Sequence, residues 1–93
     1  MKINIKPSFE RIYKKLPHSE QVQIDEKIRE LFNYYNKDML FADLRVRKLS
    51  GKSNYFEINT ASNRRILLRK QRDLVELIAY GNHDEIRRLL RQL

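Results

Sequence analysis

Gly81-Asn82-His83-Asp84 is a tetrapeptide whose residue types supply metal ligands in two-metal phosphoesterases. Such a centre needs several separated Asp and His ligands. The chain has two histidines in all, with no Asp-x-His before the tetrapeptide and no Gly-x-His after it. We therefore predict no metal site and no cofactor. Structure accounts for the other residues, because Gly81 can turn the chain, Asn82 can form a capping box with Glu85, and acidic residues suit a helix start. His83 is left without a structural explanation.

The charge balance of the chain indicates an acidic partner. Twenty Lys and Arg against twelve Asp and Glu give a formal net charge of +8 in 93 residues. Such an excess is typical of proteins that bind nucleic acid, although a basic face can also pair with an acidic protein. The chain has no cysteine, which suits a reducing cytoplasm, and no run approaches the ~18 apolar residues of a membrane span. We predict a single cytoplasmic domain over residues 1–93.

Apolar spacing in the first third of the chain predicts a short edge strand and a helical hairpin. The strand ends before Pro7, and Ser8 and Ser19 are the expected N-caps of the two helices. The apolar faces are Phe9, Ile12, Tyr13 and Leu16 in the first helix and Ile24, Ile28, Leu31, Phe32 and Tyr35 in the second. A short link through Pro17 implies that the helices run antiparallel.

Alternating and apolar runs predict strands over residues 44–80. Turn-forming residues interrupt them at 50–54, 61–63 and 72–73. We expect Leu31 or Phe32 to pack on this sheet near Leu68 and Ile78. The predicted order is β-α-α-β-β-β-α, an α+β fold in which an antiparallel sheet packs on a helical hairpin and is followed by a C-terminal helix.

Three strings in this order resemble the RelE/ParE superfamily of toxins from type II toxin-antitoxin systems. Residues 48–51 resemble the family's Lys-Leu-x-Gly turn before the central hairpin, and residues 63–68 resemble its third strand. Residues 75–83 are similar to its last strand and the following turn, which carries a basic residue or a histidine. The likeness extends from Ile3 to Ile86, and it implies one RelE/ParE-like toxin domain.

The resemblance also implies an activity. Members similar to RelE, YoeB and YafQ cut messenger RNA in the ribosomal A site without a metal, and so inhibit translation. In that reaction the ribose 2′-OH attacks the adjacent phosphate and expels the 5′-oxygen, which calls for a base, a cation beside the phosphorane and an acid. The alternative is a non-enzymatic, ParE-like gyrase inhibitor or a degenerate partner-binding module. The implied partners are a cognate antitoxin in a hetero-oligomer, and the ribosome with its mRNA.

Catalytic roles follow for residues that match the family's positions. Arg65 matches the phosphate-binding arginine, and its guanidinium can bind a phosphate bidentately. His83, eighteen positions further on, matches the histidine of YoeB- and YafQ-like toxins. We expect it to be the general acid, with its ring toward Arg65 and its imidazolium form favoured by Asp84 and Glu85. Asp43 lies where YoeB-like toxins place a glutamate, and is a candidate base.

The chain departs from the family pattern on the second strand of the hairpin. Glu57 and Asn59 stand where RelE-like members carry lysines and YafQ-like members a histidine, so Glu57 is either a second candidate base or the mark of a weakened enzyme. The C-terminal aromatic that stacks on the base in many members is missing, which leaves Tyr55 and Tyr80 as stacking candidates or as buried strand residues. The candidate RNA-binding residues are Arg45, Arg47, Lys48, Lys52, Asn59, Arg64 and Arg87.

Overall fold

The structure is a computed structural model that describes residues 2–36, 46–49, 54–60 and 63–93. Its elements are β1 (Lys2–Ile5), α1 (Pro7–Lys14), α2 (His18–Asn36), β2 (Val46–Lys48), β3 (Tyr55–Asn59), β4 (Arg65–Gln71), β5 (Leu74–Gly81) and α3 (His83–Gln92). The α+β class is confirmed. Within the described ranges four strands follow the hairpin rather than three, because each run between the predicted turns forms its own strand. No helix in these ranges is long and apolar enough to cross a membrane.

The five described strands form one mixed sheet in the order β1-β5-β4-β3-β2. Strands β2 to β5 are antiparallel to their neighbours, whereas β1 runs parallel to β5, with Ile3 opposite Val75. The prediction of a purely antiparallel sheet is therefore wrong in this one pair. A parallel pair needs a long connection, and nearly the whole chain lies between β1 and β5.

The helical hairpin covers one face of the sheet. Phe9 of α1 and Ile24 and Leu31 of α2 are buried in one cluster that includes Leu68 of β4. The predicted packing of Leu31 near Leu68 is confirmed. Phe32 is 48% exposed, so the alternative of Phe32 as the packing residue is wrong. One residue turns an α-helix by about 100°, and this carries Phe32 out of the buried stripe.

Neither serine that was expected to cap a helix does so. The N-cap of α1 is Lys6, with Pro7 in the first turn, and the Ser8 hydroxyl instead donates a hydrogen bond to the carbonyl of Ile78 at 2.7 Å. The second helix begins at His18, since the carbonyl of Pro17 already accepts a helical bond from Gln21. Ser19 therefore lies inside α2.

A β-bulge changes which residues of β5 face the hairpin. Two successive residues of β4 pair with Leu77 and Ala79, which leaves Ile78 without a partner in β4. Leu77 packs on the hairpin side, as does Tyr80 beyond the bulge, whereas Ile78 and Ala79 pack on the opposite side. Leu31 belongs to the cluster on the hairpin side, so the prediction that it packs near Ile78 is wrong. The hydrogen bond from Ser8 fixes the carbonyl of the bulged residue.

The last helix, α3, packs on that opposite face through Ile86 and Leu90. Its start is fixed by the predicted capping box: the Asn82 side chain accepts from the backbone of Glu85 at 2.9 Å, and the Glu85 side chain accepts from the backbone of Asn82 at 3.1 Å. A Cβ added at Gly81 would lie 3.2 Å from the Cβ of Glu85. Glycine therefore allows the close approach of α3, rather than a turn as expected from the sequence.

Candidate functional site

Glu57, Arg65 and His83 meet on the face of the sheet that carries α3. Arg65 of β4 lies opposite Asn59 of β3, and Glu57 is two residues before Asn59. Arg65, Asn59 and Glu57 are therefore placed on the same face of the sheet. On its other side Arg65 pairs with Gly81 at the end of β5. His83 follows as the first residue of α3, because the capping box starts the helix immediately after the strand.

Glu57 and Arg65 form an ion pair inside the sheet. Arg65 Nη1 donates to Glu57 Oε1 at 2.9 Å, and the exposed fractions of the two side chains are 18% for Arg65 and 2% for Glu57. A pair at this depth is screened by salt much less than a surface pair, and the loss of one partner leaves an unpaired charge. The second oxygen of Glu57, Oε2, has no hydrogen-bond partner among the described residues.

The same guanidinium nitrogen also contacts the histidine. Arg65 Nη1 lies 2.7 Å from His83 Nδ1, which confirms the predicted approach of the ring to Arg65. A guanidinium carries only donors and stays protonated, so Nδ1 must accept this hydrogen bond. In the described arrangement the ring hydrogen is therefore placed on Nε2. The carboxylate of Glu85 is bound to Arg64 and to the backbone of Asn82. The expected effect of Asp84 and Glu85 on the imidazolium form stays a prediction.

Arg64, a predicted RNA-binding residue, joins two carboxylates from different helices. Its Nη1 donates to Glu85 Oε1 at 3.3 Å, and its Nε lies 3.8 Å from Glu20 Oε1. The hydroxyl of Tyr80 donates to the same oxygen of Glu20 at 3.0 Å. Burial raises the pKa of Tyr80 above 10.0, and the hydrogen bond to Glu20 raises it further. Through Arg64, these contacts connect Glu20 of α2 and Tyr80 of β5 to Glu85 in the capping box of α3.

The other predicted site residues are placed as follows. Asn59 is exposed and lies directly opposite Arg65. Arg87 is half-buried one helical turn beyond His83, and its Nε is buried without a hydrogen-bond partner among the described residues. Arg47 and Lys48 belong to β2, where the register sets Arg47 opposite Glu57. Asp43, Arg45 and Lys52 lie outside the described residues.

Of the two candidate stacking tyrosines, Tyr80 is a core residue and Tyr55 is half-buried. Tyr80 is buried on the hairpin side of the sheet, away from Arg65, so the stacking role is wrong for it. Tyr55 is half-buried against the cluster beneath α3. In the part of the chain that the structure describes, no three or more His, Cys, Asp and Glu side chains come together as a metal site would require.

Two contacts at this site were missed by sequence reasoning. Nothing in the prediction paired Glu57 with Arg65, or Arg64 with Glu85. The first pair had a usable signal, because an acidic residue of one strand and a basic residue of the next were near neighbours on one face of a predicted hairpin. The second had none, since it joins a strand to a helix cap twenty-one positions away.

No family model matches this chain, and neither does any of the curated proteins. Solved structures do resemble it. A chain of the RelB-RelE antitoxin-toxin complex from Methanococcus jannaschii superposes with a TM-score of 0.71 at 21% sequence identity, covering 92% of this chain and 96% of that chain. For the intact RelBE toxin-antitoxin complex of E. coli the TM-score is 0.64 at 17% identity, with 86% and 93% covered.

A copper-bound mutant toxin from Helicobacter pylori superposes with a TM-score of 0.63 at 19% identity, covering 92% of this chain and 98% of that chain. All three matches therefore span nearly the whole of both chains. Their sequence identities are low, so the likeness concerns architecture. This chain has the fold of the RelE-type toxins.

Proposed function

We propose that this chain is the toxin of a toxin-antitoxin pair and that it cleaves mRNA on the ribosome. The observation that carries the proposal is the 2.7 Å contact between Arg65 Nη1 and His83 Nδ1 on the α3 face of a basic domain. A guanidinium beside an imidazole supplies the two groups that cleavage of a phosphodiester needs most, a cation for the phosphorane and a proton donor for the leaving oxygen. The RelE-type fold supports the same assignment.

The resting contact suggests how a substrate engages the site. A phosphate oxygen is charged and accepts a hydrogen bond from Arg65 more strongly than a neutral imidazole nitrogen does. We propose that the scissile phosphate replaces His83 on the guanidinium. The ring then turns its Nδ1 lone pair to solvent and takes up a proton, since it now faces an anion.

The proposed reaction then uses each group once. The 2′-oxygen attacks phosphorus as its proton passes to a base, and the bond from phosphorus to the 5′-oxygen breaks. His83 gives its proton to that oxygen, and Arg65 stabilises the charge on the phosphorane. The products are a 2′,3′-cyclic phosphate and a free 5′-hydroxyl. Asp43 is the proposed base.

The proposed partners follow from charge and from the similar structures. The RelE-type structures from Methanococcus jannaschii and E. coli are complexes with an antitoxin. We propose that a cognate antitoxin likewise binds this chain in a hetero-oligomer, and that the chain acts on ribosomes in the cytoplasm. The proposed RNA contacts remain Arg45, Arg47, Lys48, Lys52, Asn59, Arg64 and Arg87.

The proposed chemistry takes its positive charge from Arg65 and needs no metal. The similar mutant toxin from Helicobacter pylori is copper-bound, so the metal independence of cleavage by this chain needs a direct test. Cleavage should be unchanged by EDTA at a concentration that leaves enough Mg²⁺ to keep the ribosome assembled. A loss of cleavage that added copper restores would contradict metal independence.

A single experiment tests the function as a whole. The wild-type chain and the Arg65→Ala variant are expressed from a tightly regulated promoter. Protein synthesis is followed by pulse labelling, and cleavage sites in cellular mRNAs are mapped by primer extension. We expect the wild type to stop synthesis and to leave cuts within codons, and Arg65→Ala to do neither. The alternative, a ParE-like gyrase inhibitor or a degenerate module, is favoured by the absence of a cation at positions 57 and 59. DNA damage and filamentation with intact mRNA would establish the gyrase inhibitor instead.

A further inference from the structure

We infer that Glu57 is a positioning residue that acts through Arg65 and does not touch the RNA. The inference rests on the proposed function of the site and deepens it, because it assigns a buried carboxylate that the reaction as written does not use. It replaces the expectation from the sequence that Glu57 is a candidate base.

Solvent exposure increases from Glu57 through Arg65 to His83. Glu57 is 2% exposed and Arg65 18%, whereas His83 is exposed. An RNA hydroxyl arriving from solvent therefore meets His83 and Arg65 before it can reach Glu57. A general base must come within roughly 2.6–3.2 Å of the oxygen whose proton it removes. The Oε1 atom of Glu57 is already bound by Arg65, and the Oε2 atom is buried from solvent.

What Glu57 can do is fix the guanidinium. Its carboxylate holds Nη1 of Arg65 at 2.9 Å, and the same nitrogen then donates to His83. Without the negative charge, Arg65 would be a half-buried cation with no counter-charge, and its flexible stem would carry the guanidinium toward water. His83 would lose its donor. The orientation of the catalytic ring thus depends on a residue two hydrogen bonds away.

The free protein provides a readout that does not depend on nuclease activity. We would record ¹⁵N NMR spectra of the histidine ring nitrogens at about pH 9, where imidazoles are neutral. His18 is exposed at the start of α2 and serves as the internal reference. We expect wild-type His83 to hold a single Nε2–H tautomer with Nδ1 as an acceptor. In Glu57→Gln its ring nitrogens should shift toward the tautomer mixture of His18.

Glu76→Gln is the matched control for this substitution. Glu76 is also a buried glutamate of the same sheet, 7% exposed, and its carboxylate is paired with Lys6 at 2.9 Å and lies 3.9 Å from Arg69. Its loss should affect stability in the same way and leave the His83 spectrum unchanged. Identical His83 spectra for wild type and Glu57→Gln would overturn the inference. If Glu57→Gln does not fold, Glu57→Asp, which withdraws the carboxylate by one methylene, is measured in its place against the same criterion.

Cleavage rates on programmed ribosomes separate positioning from base catalysis. Glu57→Gln should lower the rate roughly 10- to 100-fold in the wild-type background, through misplacement of Arg65. In the Arg65→Ala background it should cause no further loss, because the residue through which it acts is gone. An equal loss in both backgrounds would show that Glu57 acts on the substrate directly. If the wild type does not cleave at all, the proposed function fails, while the ring spectra still decide the role of Glu57.

Discussion

The hydrogen bond between Arg65 and His83 uses the ring nitrogen that would otherwise be free to accept a proton. In the resting arrangement neither nitrogen of His83 has a free lone pair, since Nε2 carries the proton. In the proposed reaction, His83 therefore becomes available for proton transfer only when an anion separates the two side chains. Substrate binding and activation of the histidine would then be one event.

His83→Gln tests the proposed acid. Glutamine retains hydrogen-bonding capacity at a similar reach but cannot donate a full proton near neutral pH. We expect cleavage of a programmed ribosome to fall roughly 10²- to 10⁴-fold, with thermal unfolding and ribosome affinity nearly unchanged. Cleavage at the wild-type rate would mean that His83 is only the first residue of a capped helix.

Substitutions of Arg65 separate charge from shape. Arg65→Ala should cost at least about 10² in cleavage rate through the loss of charge stabilisation. Arg65→Lys keeps the charge but replaces the planar fork with a point donor, so we expect an intermediate rate. The same ribosome assay measures both variants. A lysine variant as fast as the wild type would show that the charge alone is sufficient.

The elements that hold these residues differ in how well the sequence predicts them. The spacing of apolar residues predicts α2 and the strands because the helical and strand periods are strong over those lengths. Both predicted serine caps are wrong. The partner of Ser8 is a carbonyl seventy residues away, which no local pattern contains, and α2 begins one residue before Ser19. The bulge at Ile78 is equally invisible, since isoleucine packs well on either face of the sheet.

The candidate site likewise contains features that the sequence predicts and features that it does not. The family resemblance and the spacing of eighteen positions are together sufficient to predict that Arg65 and His83 lie close to each other. The tautomer of the ring is a different matter, since it is decided by which donor reaches Nδ1. The burial of Glu57, which is 2% exposed, likewise has no signal in its own sequence neighbours.

The inner and outer faces of α2 give a stability test. Leu31 is fully buried, so Leu31→Ala should lower the free energy of unfolding by about 2–5 kcal/mol in denaturant titration. Phe32→Ala, at the next position, is the control, and it should cost less than about 1 kcal/mol because the ring is half in solvent. Equal losses at the two positions would place the hairpin in a different rotation on the sheet.

The contact between Tyr80 and Glu20 ties α2 to β5 and gives stability a pH dependence. Burial raises the folded-state pKa of Tyr80 above its unfolded value of 10.0. The protonated form is the stabilised one, so this contribution is complete below about pH 10 and is lost as pH rises through the folded pKa.

Tyr80→Phe isolates that contribution. At neutral pH the variant should be less stable than the wild type by about 0.5–1.5 kcal/mol, the usual net value of one hydrogen bond. The difference in unfolding free energy between the two proteins should then shrink above pH 10. A difference that stays constant through the alkaline range would mean that Tyr80 does not ionise during unfolding there.

In the molecule as a whole, the two faces of the sheet carry different features. The hairpin face supplies most of the core, and the other face carries the site and the basic helix α3. Along one flank of that helix His83, Arg87 and Arg91 recur at intervals of four residues. Among the described residues, no ion pair engages Arg87 or Arg91, so we expect their charge to be available for phosphate.

Salt dependence tests whether this face carries the RNA. Affinity for a short single-stranded RNA should fall linearly on a log–log plot against salt, with a slope of about 0.7 per phosphate neutralised. Arg91→Glu should flatten the slope by about one such contact, and charge reversal of Arg45 and Arg47 should also flatten it. Arg11→Glu on α1 makes an identical change in net charge on the other face and should leave the slope unchanged. Equal effects of Arg91→Glu and Arg11→Glu would show that binding follows total charge alone.

The bulge at Ile78 gives β5 one spare residue. A strand that lacked residue 78 would pair regularly with β4 and would still turn Tyr80 to the hairpin and Gly81 to the other side. Loss of a residue after the bulge, such as Tyr80, would instead point Gly81 at the hairpin and start α3 on the wrong side of the sheet. The eighteen positions between Arg65 and His83 are therefore a property of this strand rather than a requirement of the chemistry. A relative without the bulge would hold the same two side chains together at one position fewer, and a sequence alignment should place its gap at residue 78 or 79.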